Sequence, residues 1–244
     1  DEAQVNVAIA IAEQMAAYLT TGEITNAVNF PSVSAELLNV IEPYIDLAEK
    51  LGRFHAQLVE GGIQEVKIEY SGKILDYNVA PLTIALLRGL LAPSLGDTVN
   101  YINAPILAKE RGIGVVEAKS SELKDYTSLI SLTIKTTQEE SIAAGALFGL
   151  KDPRIVRIND FVLDVVPAGH MLAVYNQDRP GVIGDIGMTL GNNGVNIARL
   201  HLSREQVDRQ ALVILSTDSQ TPAEVLEKLR NLPNITTVTE LEME

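Results

Sequence analysis

The chain has 244 residues, enough for roughly two domains of ordinary size, and 46% of them are apolar, so a sizeable core can be buried. The net charge of -13 argues against a general nucleic-acid or membrane-surface partner, because an acidic surface repels phosphate groups and anionic lipid. The complete lack of Cys excludes disulfides, thiolate metal sites, iron–sulfur clusters and a Cys nucleophile.

The chain begins with a segment that predicts a helix over residues 3–21, ended by Gly22. Apolar residues recur at helical spacing on one side and also occupy the opposite side, so the helix requires burial on several sides. Little chain precedes it. We therefore expect it to be the last element of a part that is not in this chain, with residue 1 not the natural start. An irregular linker is expected over residues 26–34.

The segment after this linker predicts a second helix followed by a β-hairpin. Ser34 can cap a helix that runs to about Arg53. Two strand-like runs follow, residues 54–60 and 64–71, joined by Gly61-Gly62. Because the second run alternates apolar and charged residues and the junction is rich in Gly, the pattern is typical of a hairpin.

The middle of the chain alternates helices with pairs of strands, which indicates an α+β domain. Gly112 is predicted to stop a helix, and Asp152-Pro153 to form a turn. The predicted helices are 81–91 and 104–111, and the predicted strands are 113–118, 128–136, 141–148, 154–158 and 161–165.

From His170 the order of elements becomes strand, helix, strand, strand, helix, strand, which is the ferredoxin-like βαββαβ arrangement. Thr221 and Glu224 predict a capping box, with Pro222 at the first helical position. A turn is expected over residues 207–209. The predicted strands are 171–175, 197–203, 210–216 and 235–241, and the predicted helices are 180–192 and 221–231.

The loop between the first strand and the first helix of this arrangement carries the most informative motif, Asn176-Gln-Asp-Arg-Pro-Gly-Val182. We predict that the helix starts at Pro180, so that the N–H groups from Gly181 onward lack partners and attract a carboxylate. Asp178 can neutralise an ammonium group, and Asn176 can hydrogen-bond the same ligand. The pattern therefore suits a free amino acid.

Two alternatives remain open for this motif. Asp178 can simply cap the helix, which needs no ligand. Asn196, in the segment Gly194-Val-Asn-Ile197, can hydrogen-bond a zwitterion or only shape the turn after Gly194.

The segment Asp178-Arg-Pro-Gly-Val182, followed by Gly194-Val-Asn-Ile197 inside βαββαβ, resembles an ACT domain over about residues 170–244. In that family this loop helps to form an amino-acid effector site at a subunit interface. The resemblance implies effector contacts at Asn176, Asp178, Gly181, Val182 and Asn196.

The rest of the chain resembles the long-form D-3-phosphoglycerate dehydrogenases, in the same order. Residues 1–18 resemble the helix that closes the catalytic part, Asn26-Ala-Val-Asn-Phe-Pro31 the linker that follows, and about 30–165, including Tyr101-Ile-Asn-Ala-Pro105, the intervening domain. The resemblance implies that the parent enzyme oxidises 3-phosphoglycerate with NAD, the first step of serine synthesis, and that L-serine is its feedback effector. It implies the units 1–29 (closing helix and linker), 30–166 (intervening, allosteric substrate-binding domain) and 167–244 (ACT domain).

The intervening domain binds an effector or substrate in some members, and a phosphorylated ligand there would need Arg or Lys. Arg154 matches a basic position of the family, whereas Phe161 and Val166 stand where some members have Arg. Ordinary solvated charge is the alternative for each candidate. The candidate anion-binding residues are Lys109, Arg111, Arg154 and Arg157.

The sequence supports no catalytic residue and no metal site in this chain. No Gly-x-Gly-x-x-Gly turn lies between a strand and a helix, so no NAD-binding motif is present, and the three His match no catalytic position of the family. We expect no cofactor in this chain, NAD in the parent enzyme, and no turnover by the chain alone. Because no run of about 18 apolar residues and no basic leader flank occurs, we expect a cytoplasmic protein without a membrane partner.

Three functions therefore remain. The favoured one is a regulatory module that binds L-serine within a homo-oligomer, a dimer or tetramer. The second is the small subunit of an L-serine dehydratase, which also joins a similar middle domain to an ACT domain and would need a partner with an iron–sulfur cluster. The third is a purely structural oligomerisation module, since ACT edge strands pair across subunits.

Overall fold

The computed structural model describes residues 2–21, 35–121, 125–205 and 210–243. The predicted linker at 26–34, the cap at Ser34 and the predicted turn at 207–209 lie outside these residues. None of the described helices is both long and apolar enough to cross a membrane.

The first helix, α1 (Glu2–Thr21), forms as predicted. The expected burial on several sides is not found within this chain, because its apolar side chains are exposed. Met15 is 61% exposed and Leu19 is 79% exposed. The helix therefore keeps an apolar surface on more than one side.

A larger unit follows, in which helices pack on one face of a six-stranded sheet with the strand order β2-β1-β3-β4-β5-β6. Strands β1 and β2 are parallel, and the other neighbours are antiparallel. Helices α2 and α3 supply much of the core against this sheet. The elements are α2 (Ala35–Ala56), β1 (Ile63–Gly72), α3 (Ala80–Leu95), α4 (Ala104–Glu110), β2 (Gly114–Ser120), β3 (Ser128–Thr136), β4 (Glu140–Phe148), β5 (Asp152–Ile158) and β6 (Phe161–Val165).

The predicted strand at 54–60 is wrong. Helix α2 continues to Ala56, and Phe54 is fully buried. Phe54 follows Leu47 and Leu51 at helical spacing, so it extends the apolar face of α2 that packs on the sheet. This packing outweighs the Gly-rich pattern that predicted a hairpin. The predicted turn at Asp152-Pro153 is also wrong, because β5 already begins at Asp152.

A smaller unit contains the predicted βαββαβ arrangement, with the strand order β10-β7-β9-β8 and antiparallel pairing throughout. This order is the ferredoxin-like one, so the α+β fold class is confirmed. The elements are β7 (His170–Gln177), α5 (Val182–Asn192), β8 (Ile197–Arg204), β9 (Gln210–Thr217), α6 (Ala223–Arg230) and β10 (Ile235–Glu242).

The predicted starts of both helices in this unit need correction. Helix α5 begins at Val182 with Gly181 as its N-cap, so Pro180 lies before the helix. Helix α6 begins at Ala223, and the hydroxyl of Thr221 is buried without a hydrogen-bond partner, so the capping box does not form. The backbone N–H of Thr221 instead donates to Glu240 Oε1 at 3.1 Å.

The two units share one core. Helices α5 and α6 cover one face of the four-stranded sheet. The other face packs against the larger unit, where the ring of Tyr175 contacts that of Phe161 edge-on, at 6.0 Å between centroids. Gln57 adds two hydrogen bonds across the contact, accepting from the Glu242 N–H at 2.9 Å and donating to the Glu242 carbonyl at 3.0 Å.

Candidate functional site

The loop between β7 and α5 ends in a helix N-terminus that no side chain caps. Gly181 adopts φ 98°, which a residue with a side chain rarely adopts, and it turns the chain into α5. Val182 is buried in the core and anchors the first turn. The N–H of Val182 donates to the Arg179 carbonyl at 3.4 Å, so it is not unpartnered as predicted. The next N–H groups of the first turn have no partner within the helix, so this end is open to an anion.

Asn176 and Asp178 lie beside this helix start. Asn176 is buried and shares the helix-covered face of β7 with Val174, since side chains alternate along a strand. The only hydrogen bond of its side chain among the described residues is a long one, 3.4 Å from Nδ2 to the Val174 carbonyl. It therefore lies under the loop with most of its bonding capacity unused.

Asp178 does not cap α5 in this structure. Its Oδ2 lies 3.4 Å from Nε of Arg204, which ends strand β8. Arg204 is largely exposed, so this is a surface ion pair of modest strength. An ammonium group that approached Asp178 would compete with a weakly held partner.

Asn196 lies at the opposite end of the same sheet. It precedes Ile197, which pairs with Thr217, and Thr217 pairs with His170 at the start of β7. Asn176 is six residues further along β7, so the two asparagines are about 20 Å apart along the strand direction. Asn196 Nδ2 donates instead to Asp218 Oδ2 at 2.7 Å. One chain therefore does not bring Asn196 together with the other predicted contacts.

The outer edge of β8 was not recognised from the sequence as part of a site. Strand β8 ends the four-stranded sheet, so no strand in the described part of the chain pairs with its outer edge. Leu200 and Leu202 face the helix side opposite Leu215 and Val213, and each remains nearly 40% exposed. The alternation of Leu200, His201 and Leu202 is the sequence signal that could have indicated a partly covered strand.

The four basic residues predicted for anion binding do not meet. Lys109 and Arg111 are at the end of α4, directly before β2. Arg154 and Arg157 are on β5, four strand positions from β2, which corresponds to about 19 Å. Each member of the second pair has an internal partner: Arg154 Nη1 lies 2.9 Å from Asp164 Oδ1, and Arg157 Nε donates to the Asn159 carbonyl at 2.5 Å. A single anion site cannot use all four.

His55 has a role that sequence reasoning missed. The sequence suggested a strand face, but the residue lies in the last turn of α2 and is fully buried. Its Nε2 is 2.9 Å from Ser141 Oγ, and Ser141 donates to Asn159 Oδ1 at 3.1 Å. Because Ser141 has one proton and donates it to Asn159, Nε2 of His55 is the donor to Ser141 Oγ. Burial lowers the pKa of His55 to about 3, opposed in part by the backbone of Leu132.

Family models match both units. Residues 40–159 match the model of the D-3-phosphoglycerate dehydrogenase intervening domain, and residues 170–234 match that of the ACT domain. The first match falls in the larger unit and the second in the smaller unit.

Curated relatives match nearly the whole chain. A D-3-phosphoglycerate dehydrogenase of Synechocystis is 38% identical over 236 residues, covering 96% of this chain and 43% of that protein. The enzymes of Methanocaldococcus jannaschii and Bacillus subtilis are 35% and 34% identical, covering 96% and 97% of this chain and 44% and 45% of those proteins. The chain spans less than half the length of these relatives. It belongs to the D-3-phosphoglycerate dehydrogenase family and carries the intervening domain of that family followed by an ACT domain.

Proposed function

We propose that this chain is the regulatory region of an NAD-dependent D-3-phosphoglycerate dehydrogenase, and that two copies of its ACT domain bind L-serine between them as a feedback effector. The observation that carries this proposal is the placement of the expected contacts. Asn176, Asp178 and the start of α5 lie at one end of the four-stranded sheet, and Asn196 lies at the other, joined by the open edge of β8.

A two-fold pairing of β8 with β8 of a second copy would complete the site. In an antiparallel pair, the start of one strand lies beside the end of the other. The Asn196 end of one copy would then lie beside Arg204 of its partner copy. Because Arg204 contacts Asp178, such pairing brings Asn196 of one chain to the Asp178 loop of the other.

The chemistry of the completed site suits a free amino acid. The uncapped start of α5, after Gly181, offers N–H groups to the α-carboxylate. Asp178 neutralises the α-ammonium group in place of Arg204. The side-chain amides of Asn176 and the partner copy's Asn196 each have one N–H in use, to Val174 and Asp218, and offer their second N–H and their carbonyl oxygen to the ligand. Val182, fixed in the core, holds the helix start in position.

We further propose the boundaries 30–166 for the intervening domain and 167–244 for the ACT domain, with residues 1–29 as the connection to the catalytic part. Effector binding would reach that part with a coupling free energy of about 1–3 kcal/mol. The chain offers no Gly-x-Gly-x-x-Gly turn to hold NAD, so we expect it to show no dehydrogenase activity alone. A phosphorylated ligand at Lys109, Arg111, Arg154 or Arg157 stays a prediction.

Calorimetric titration with L-serine tests this function. Wild-type chain should bind saturably, and Asp178→Ala and Asn196→Ala should each weaken binding by at least about tenfold, since each loses a polar contact to a charged ligand. Asp97→Ala and Asn231→Ala, at exposed positions away from the loop, are matched controls that should bind as wild type. A folded wild-type dimer that gives no heat with L-serine would favour the structural oligomerisation module instead.

A further inference from the structure

Strand β2 forms one end of the six-stranded sheet, and no strand in the described part of the chain pairs with its outer edge. Such an edge presents a row of backbone N–H and C=O groups that can accept a further strand. The edge of β2 is regular, because its pairing with β1 continues from Gly114 to Ser120 without a register shift and no Pro interrupts it. Its whole length is therefore able to pair.

The side chains of this edge leave apolar surface on both faces of the sheet. Val115 lies opposite the core residue Val66, so it faces the helix layer, and Val116 faces the other side. Val115 is 39% exposed and Val116 is 43% exposed. These fractions resemble those of Leu200 and Leu202 at the edge of β8, where we propose pairing of the ACT domains.

An apolar groove of about 510 Å³ lies on the helix side of the edge, between α3, α4 and β2. Ile84 and Leu87 of α3 line it together with Val115 and with Pro105 of α4. Ile106, next to Pro105 in α4, is 55% exposed. Apolar surface gathered in this way beside an open strand edge favours contact with another protein surface.

Two opposite charges lie on the same face of β2. Glu117 and Lys119 are opposite Ile68 and Tyr70 of β1, which face the helices. Thr83 Oγ1 of α3 donates to Glu117 Oε1, which orients the carboxylate and leaves its second oxygen available. No salt bridge among the described residues involves Lys119. The edge therefore carries an oriented carboxylate and an ammonium group two residues apart.

We propose that β2 pairs antiparallel with β2 of a second copy about a two-fold axis at Ala118, so that the two six-stranded sheets form one continuous sheet. In this register Glu117 of each copy lies opposite Lys119 of the other, which gives two symmetric ion pairs. If the axis moved by one residue, Glu117 or Lys119 would lie opposite itself, and like charges directly opposite are destabilising. The charges of the edge thus select one register.

The same pairing covers the apolar groove. A two-fold axis through an antiparallel pair keeps both helix layers on the same side of the sheet, so the groove of each copy faces that of the other. This contact joins two intervening domains, whereas the pairing of β8 joins two ACT domains. Two different two-fold contacts on one chain are sufficient to build a closed tetramer.

Cysteine cross-linking of the whole 244-residue chain tests the proposal, because the sequence contains no Cys. Ala118→Cys places two sulfur atoms at the axis, where the Cα atoms of an antiparallel pair are about 4.5–5.5 Å apart, within the range of a disulfide. Under mild oxidation we expect a covalent dimer on a non-reducing gel. It should form at least about tenfold faster than with Leu150→Cys, the matched control, which is 84% exposed between β4 and β5.

A second pair of cysteine variants tests the register. The proposed pairing places Val116 opposite Ser120 of the other copy, and two copies of either residue about 13 Å apart along the strands. Val116→Cys and Ser120→Cys should therefore cross-link with each other when the two variants are mixed, and neither should cross-link with itself.

Charge variants in the Ala118→Cys background test the ion pairs. Lys119→Glu makes both pairs repulsive and should slow cross-linking by at least about tenfold, and adding Glu117→Lys should restore the rate. The proposal is overturned if Ala118→Cys dimerises no faster than Leu150→Cys, if Val116→Cys couples with itself as fast as Ala118→Cys, or if the charge variants do not behave in this way. Because the cross-link reports on β2 alone, a failure of L-serine binding or of ACT pairing leaves the result unaffected.

Discussion

The charge state of His55 couples the stability of the fold to pH. Burial lowers the pKa of the folded state from 6.5 to about 3, so the unfolded chain takes up the proton first as the pH falls. The stability that His55 contributes is full above pH 6.5 and decreases below it, by about 1.4 kcal/mol per pH unit, until the pH reaches the folded-state pKa.

Replacement of His55 should therefore reduce the acid sensitivity of the chain. His55→Gln keeps an N–H donor for Ser141 but does not titrate, so its loss of unfolding free energy between pH 7 and pH 4.5 should be smaller than that of wild type by about 2–3 kcal/mol. Urea denaturation at both pH values measures this difference. His170→Gln, at a partly exposed histidine, is the control. Equal acid sensitivity of His55→Gln and wild type would contradict the assignment.

Local sequence patterns indicate the role of a residue only where its partners are close to it in sequence. The Asn176–Val182 motif is local, because Pro and Gly mark the end of a strand and the start of a helix within seven residues. His55 could not be assigned in this way, since its partner Ser141 is 86 residues away. The separation of Asn196 from Asn176 likewise depends on strand register, which local patterns do not determine.

At the level of secondary-structure elements, helices α2 and α3 approach each other closely at Gly52 and Gly89. A Cβ added at Gly89 of α3 would clash with the carbonyl oxygen of Glu49 in α2, and both atoms belong to rigid backbones. The salt bridge between Arg88 and Glu49, with Tyr101 Oη donating to the same carboxylate at 2.5 Å, fixes the helices at this distance. Only glycine therefore fits at position 89, because the backbones of α2 and α3 approach each other so closely there.

Gly89→Ala should lower the unfolding free energy by about 1–3 kcal/mol, because the helices must separate to admit the methyl group. Urea denaturation measures the change. Gly187→Ala in α5, where an added Cβ meets nothing, should be neutral or stabilise by up to about 1 kcal/mol. Equal stability of the two alanine variants would contradict the close packing of α2 on α3 at Gly89.

The spacing of apolar residues along a helix or a strand is a local property, and it predicted most elements. Strands Ser128–Thr136 and Phe161–Val165 have the bounds that were predicted. The errors arose where tertiary contacts override local signals. Helix α2 extends through Ala56 because its apolar face continues across the core. The parallel pairing of β1 with β2 could not be predicted, since α3 and α4 separate the two strands in sequence.

At the scale of the whole molecule, the larger and smaller units behave as one packed body. Strands β7 and β9 of the ACT domain are buried on both faces, by the helices of that domain on one side and by the larger unit on the other. A rigid connection of this kind would let a change at the ACT domain reach the intervening domain without a flexible joint between them.

Gln57→Ala should loosen this connection, because it removes both hydrogen bonds to Glu242 and costs about 1–3 kcal/mol. Amide hydrogen exchange should be faster at Glu242 in the variant, while the amides in the middle of β9 should exchange as in wild type. Gln64→Ala, at an exposed glutamine of β1, is the control. Unchanged protection of Glu242 in Gln57→Ala would show that the apolar contacts alone hold the two units together.

Calorimetric titration of L-serine into a mixed dimer shows whether two chains share one effector site. Chains with Asp178→Ala and chains with Asn196→Ala are given different affinity tags, mixed and purified as the heterodimer. Because each site takes Asp178 from one chain and Asn196 from the other, the heterodimer has one intact site and one with both changes. We predict that each homodimer binds L-serine poorly and that the heterodimer regains wild-type affinity with half the wild-type number of sites. A heterodimer that binds L-serine as poorly as the two mutant homodimers would contradict an effector site shared between two ACT domains.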